Sequence, residues 1–329
     1  MNEAMNWMDF SDHLMDEIMD RMPDEIRRGM TLGCRDVTKM NDVTLHGIAI
    51  REAGSNAEPI FYVDDFLSRY RQGEPMGRLA DEIASQYLSV REGFGEVKAP
   101  KIAEDDLSYD KVKEKLSLRL LEVKRNRDFL RNVPYLAVGN GLALAADIRI
   151  SEEADGQSRT TVTRDLLKNW GISGETLFQD AITHTEIAEP PKLLNMERYL
   201  MGGDRTDLLT KPDPETGNIL VLTNEDGLFG SAALFYPGLK EKIADALGEG
   251  YSVLPSSVHE VIVVPDSLGM DAETLTQMVK EVNSVMVSPG ERLSDRVLHF
   301  DERDRSLTPA LPEKDARDTE MRWIGRAHV

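Results

Sequence analysis

The chain has 329 residues, of which 59 are acidic and 39 basic, giving a net charge of −20, and it holds one cysteine. No apolar run approaches the roughly 18 residues of a membrane-spanning helix, and a single cysteine makes neither an internal disulfide nor a multi-thiolate zinc site. The acid excess argues against a surface built to grip phosphate backbone. An apolar fraction of 40% is too high for a disordered chain.

A soluble, acidic, globular protein of the cytoplasm is the expectation. The opening MNEAMNWMDFSDHLMDEIMD carries acids where a secretory signal carries Lys or Arg. The spacing predicts a helix from Asn6 to Arg28, with Met5, Met8, Met15, Ile18, Met19 and Met22 at three- and four-residue steps. Such a stripe suits core packing and also an adaptable contact face, so Met8, Met15 and Met19 are interaction candidates. Cys34 reads as a small packing residue.

From Val43 the period becomes two. VTLHGIAIRE and PIFYV read as strands and DDFLSRYRQG as a helix stopped at Gly73. The same order returns in LALAADIRI, RTTV and TRDLLKNWG. A shift of a hundred positions superposes Ile48 on Ile148, Ile50 on Ile150, Glu52 on Glu152, Asp65 on Asp165 and Leu67 on Leu167. Between these modules, EPMGRLADEIASQYLSVRE reads as a helix, and YDKVKEKLSLRLLEVKRNRDFLRN as a locally basic one. Lys111, Lys115, Arg119, Lys124 and Arg125 make the latter a solvated face or a contact for an acidic partner. Later strands are expected at NILVLTN, FGSAALFY, YSVLP and VHEVIVVP, with helices at LKEKIADALG and DAETLTQMVKEVN.

The expected fold is α+β, built of strand–strand–helix modules with mainly antiparallel sheets and helical insertions, with α/β as the alternative. Expected divisions are residues 1–100, 101–205 and 206–310, with a tail from 311 to 329.

Phosphate-binding, dinucleotide, nucleophile-elbow, H-E-x-x-H and EF-hand patterns are missing from the sequence. Two clusters carry candidate chemistry. TNEDGLFG places Glu225 and Asp226 after a strand, where an acidic turn with glycine is first a hairpin signal. PSSVHEV places Ser257 and His259 on one face of a strand and Ser256 and Glu260 on the other. A serine two residues from a histidine is not by itself a nucleophile–base pair. No cofactor and no metal site are expected.

The run from ILVLTNEDGLFGSAALFYPG through VLPSSVHEVIVVP to VNSVMVSPGERLSDRVLHFD resembles an uncharacterised bacterial family, domain of unknown function 5688. LALAADIRI and TRDLLKNWGISGETLFQDAITHTE resemble its middle region, and Gly290 stands where the family pattern carries an acid. The resemblance implies a cytoplasmic protein of Gram-positive bacteria, often an accessory of mobile elements, and supplies no site residues. The expected function is therefore non-enzymatic: a binding or regulatory protein with an unidentified protein partner, conceivably an acidic antagonist of a nucleic-acid enzyme. Nucleic acid and membrane are not expected partners. The alternative is a hydrolase using Glu225, Asp226, Ser257, His259 and Glu260.

Overall fold

Asn6 opens the first helix by accepting the Asp9 backbone N–H, and α1 runs Trp7–Arg21. Its inward stripe is Phe10, Leu14 and Ile18, all fully buried at four-residue steps. Met15 and Met19 pack at the margin of this core, whereas Met8 faces outward. A single helix to Arg28 is corrected by Pro23, which lacks the amide a helix interior needs; one further turn, α2 (Asp24–Arg27), follows it. The computed structural model describes residues 5–53, 59–96, 108–153, 156–201, 206–210 and 218–312.

Two compact units divide the chain, Met1–Lys39 with Val43–Ala103, and Met40–Asp42 with Glu104–Val329. The boundary expected near residue 100 and most of the tail from 311 lie outside the described residues.

In the first unit an antiparallel sheet has the order β1–β2–β3, formed by Met30–Thr38, Thr44–Glu52 and Ile60–Tyr62. The first of these strands, GMTLGCRDVT, escaped the sequence reading because glycine and charge interrupt its alternation. The helices α3 (Asp64–Arg71) and α4 (Met76–Glu96) follow, and Phe66, Leu67, Leu79 and Ile83 join Ile48, Ile50 and the α1 stripe in one core. Cys34 is half-buried in β1, and burial pushes its thiol up, the reverse of an activated nucleophile.

In the second unit the long strand β6 (Leu142–Glu153) is central to one sheet. It pairs with β4 (Leu116–Glu122) on one side, and with β5 (Tyr135–Gly139) and then β7 (Gly156–Thr161) along the other. The basic stretch from Tyr109 to Asn132 is thus not a helix. Only α5 (Tyr109–Val112) and α6 (Phe129–Asn132) are helical turns of α type, on either side of β4. The alternation in LSLRLLE decides it: Leu116, Leu118 and Leu120 enter one core and Leu121 another. Next come α7 (Arg164–Trp170), capped by Thr163 and ended by left-handed Gly171, and α8 (Gly174–Ala188), capped by Ser173.

A six-stranded antiparallel sheet completes this unit in the order β13–β12–β10–β11–β9–β8. Its strands are β8 (Pro191–Asn195), β9 (Leu220–Asn224), β10 (Tyr251–Leu254), β11 (Val261–Pro265), β12 (Leu298–Asp301) and β13 (Ser306–Pro309). Its helices are α9 (Met196–Leu200), α10 (Leu239–Leu247) and α11 (Ala272–Val285). FGSAALFY, expected as a strand, is instead a 3₁₀ segment over Gly230–Phe235, dense in small residues that pack against β9. The fold is α+β.

The repeat suggested by the sequence has a backbone counterpart. β2–β3–α3 and β6–β7–α7 both run strand, strand, helix. In each, the valine ahead of the helix is fully buried and donates its N–H back to the long strand, Val63 to His46 O at 2.8 Å and Val162 to Ala146 O at 2.9 Å. Among the described residues, no helix is long and apolar enough to cross a membrane.

Candidate functional site

Asn224, the last residue of β9, is buried and organises the turn that follows. Its side-chain oxygen accepts the Leu228 N–H at 3.2 Å, while its amide nitrogen donates to the Leu228 carbonyl at 2.9 Å and to the Glu189 carboxylate at 3.1 Å. Glycine at 227 takes φ +68°, and the turn delivers Phe229 in the left-handed region at φ +56°. A bulky residue there is strained and persists only where its surroundings over-determine it.

The surroundings of Phe229 supply that constraint. Its ring lies 4.9 Å from the Arg119 guanidinium, 5.5 Å from that of Arg159, and stacks on the His259 imidazole at 5.4 Å. Its backbone N–H donates to His259 Nδ1 at 3.2 Å, so the neutral ring carries its proton on Nε2. The next residue has no room for a side chain. A Cβ on Gly230 would lie 2.4 Å from Thr223 Oγ1, 2.5 Å from the Asn224 nitrogen and 2.8 Å from the His259 carbonyl.

Behind the ring is a buried ionic network. Arg119 pairs with Asp147 and donates to Thr161 Oγ1 at 2.8 Å. Arg159 lies 3.1 Å from the Glu189 carboxylate, which is fully buried. Burial nevertheless holds the Glu189 carboxyl above its ordinary range, against the opposing pull of Arg159 and Arg149.

His259 also lines an open cleft of about 340 Å³, together with Gly227, Leu228, Ser257, Glu260, Met286, Val287 and Glu291. His259 Nε2 stands 3.6 Å from a Glu291 carboxylate oxygen. Burial raises the Glu260 carboxyl, with Glu291 pushing the same way and His259 and the Ser257 hydroxyl pulling it down. At one rim α11 ends, leaving Val285 and Met286 83% and 79% exposed.

Several sequence candidates do meet here. Ser257, His259 and Glu260 share the cleft, although they precede β11 and do not lie along it, so the expected alternation of faces is corrected. The reason is local: Ser257 bridges to Arg292 and its hydroxyl accepts the His259 backbone N–H at 3.0 Å, curling the chain before the strand begins. Glu225 instead faces outward and pairs with Lys192 of β8. Asp226 is exposed, and its charge acts on Glu189.

The basic candidates disperse. Arg119 is buried, and Arg125 is paired with Glu122 at 2.8 Å and Asp295 at 2.6 Å. Lys111, Lys115 and Lys124 are exposed but share no helix face. Met8, Met15 and Met19 belong to the first unit. Among the described residues, no group of three or more His, Cys, Asp or Glu side chains is placed to hold a metal ion.

Phe229, Glu189, Glu291 and Met286 were not singled out by sequence. A usable signal existed for the first: a phenylalanine wedged between Gly227 and Gly230 directly after an apolar strand. The others come from separate segments that only the fold brings near.

These features define an α+β protein in which a strained aromatic turn contacts buried arginines and the histidine of an open, acid-lined cleft. The chain matches the family of unknown function DUF5688 over residues 7–302 and belongs to it. No curated protein and no solved structure matches it.

Proposed function

We propose that this is a cytoplasmic, non-enzymatic binding protein that regulates a partner through protein–protein contact, as an accessory protein of bacterial mobile elements. The observation that carries the reading is an open cleft lined in part by Met286, a highly exposed apolar side chain that follows the equally exposed Val285 at the end of α11. Scattered apolar residues on a surface are ordinary, whereas a highly exposed apolar side chain lining a concavity is what contact sites present. An acidic antagonist of a nucleic-acid enzyme is one form of this function, consistent with a net charge of −20.

A hydrolase is the second reading, favoured by the convergence of Ser257, His259 and Glu260 on one cleft. One hydrogen bond weighs against it. The Ser257 hydroxyl accepts the His259 backbone N–H, and His259 Nδ1 accepts that of Phe229, which leaves the neutral imidazole no free nitrogen to take the serine proton.

Affinity capture from the native host tests the two readings. Full-length protein is expected to retain a partner at moderate salt, and Val285→Glu with Met286→Glu to lose it. Recovery of no partner, together with ester or phosphoester hydrolysis abolished by His259→Ala, would reverse the assignment.

A further inference from the structure

The cleft has a chemical preference that the protein-binding reading, on which this inference rests, does not itself specify. Among the described residues, its lining includes two carboxylates, Glu260 and Glu291, and no lysine or arginine. Arg292, the nearest base in sequence, turns Nε to the Val287 carbonyl at 3.1 Å. His259 Nε2 lies 3.6 Å from Glu291, too far for a hydrogen bond, so the imidazole does not take up that carboxylate. A volume of about 340 Å³ suits a long side chain, small for a drug-sized ligand.

We infer that the cleft receives a lysine or arginine side chain of a protein partner, with an aliphatic neighbour of that residue seated on Met286. Charge complementarity selects the occupant. A phosphate or an acidic side chain would meet Glu260 and Glu291 as like charges, while a cation offsets the burial that disfavours an ionised Glu260. A guanidinium or ammonium engages carboxylates through short, charge-assisted hydrogen bonds. The methionine at the rim is unbranched and repacks around aliphatic groups of varied shape, so the apolar half of the contact tolerates several residues while the charged half does not. The acidity of the whole chain draws basic segments towards it before contact.

Amide NMR on the full-length protein tests this with two probes, N-acetyl-leucyl-arginine amide and its neutral glutamine counterpart. The arginine probe is expected to shift the amides of Gly227, Leu228, Val287 and Glu291 saturably and more weakly as salt rises. The glutamine probe is expected to bind about tenfold more weakly or worse, and Glu260→Gln with Glu291→Gln to erase the difference. Both substitutions lie on half-exposed or exposed groups and keep side-chain shape, and an unchanged spectrum elsewhere shows that the variant is folded. Equal response to the two probes, shifts outside the cleft, or self-association of the chain through Val285 and Met286 would overturn the inference. Failure here is separable from failure of the broader reading. A partner lost from the Val285→Glu, Met286→Glu protein but held at full strength by the double glutamine variant leaves protein binding standing and removes the basic occupant. Capture of no partner, with the charge preference between probes intact, removes the protein partner from both readings and leaves only a cleft selective for a basic group.

Discussion

Gly230 shows how little freedom one residue has here. Its absent side chain lets the 3₁₀ segment lie against β9, and two of the three atoms a Cβ would strike are backbone. Gly230→Ala is expected to destabilise by about 2–3 kcal/mol, as overpacking does, lowering Tm by roughly 5–10 °C in a thermal melt. Glu260 makes a different prediction. Its carboxyl is raised above the ordinary value of 4.5, so the folded state holds its proton more tightly than the unfolded chain. The stability it contributes is complete below 4.5 and is lost as pH rises through the raised value. Urea titrations of Glu260→Gln should therefore match wild type at acid pH and exceed it at neutral pH, with the gap opening between. A variant that is less stable at neutral pH would contradict this. A residue more costly to fold than its neutral replacement is what a group retained for binding looks like. At this scale the sequence disclosed Ser257, His259 and Glu260 as a cluster but gave no sign of their partners, since Glu291 and Phe229 each lie about 30 residues away and meet His259 only through the sheet.

Among the elements, the stretch read as a basic helix is the instructive one. Charge counting grouped Arg119 with Lys124, yet Arg119 stands on β4 among buried residues, paired with Asp147, and Lys124 is on the surface. Arg119→Ala leaves a buried carboxylate without its cation and is expected to destabilise by roughly 3–5 kcal/mol. Lys124→Ala is expected to change stability by less than about 0.5 kcal/mol in the same denaturant titration. Comparable losses from both would restore the helical reading. Period-two alternation in LSLRLLE was legible and was outweighed by the flanking lysines and arginines, which favour helix only when nothing buries them. Elements whose signals lay within a few residues were read correctly in kind: DAETLTQMVKEVN holds α11, TRDLLKNWG holds α7, and the VIVVP part of VHEVIVVP is β11, the strand beginning three residues later than expected. FGSAALFY failed because its small residues are selected for close approach, a tertiary demand that leaves no local period.

At the scale of the whole molecule, the second unit includes three residues from early in the chain, Met40, Asn41 and Asp42, which lie between β1 and β2. Asn41 exchanges hydrogen bonds with fully buried Asn126, accepting from its amide at 3.0 Å and donating its own N–H at 2.7 Å, and reaches the carbonyls of Pro289 and Arg292. Asp42 accepts the backbone N–H groups of Asp128 and Phe129. Asn41→Ala removes the acceptor of one Asn126 amide proton and the donor to the Pro289 and Arg292 carbonyls, and puts alanine at a left-handed φ of +59°; it is expected to cost about 1–3 kcal/mol, read as an earlier urea midpoint with the slope unchanged. A loss below about 0.5 kcal/mol would make the tripeptide a mere surface decoration. The tripeptide also sets an order of events in time. A ribosome releases residues 40–42 long before it makes Asn126, and longer still before Pro289, so these three wait for their partners through the synthesis of most of the chain. A gene cut at the apparent boundary would yield a second half missing a piece that no shift of the cut site restores, because the missing piece is bracketed on both sides by the first half.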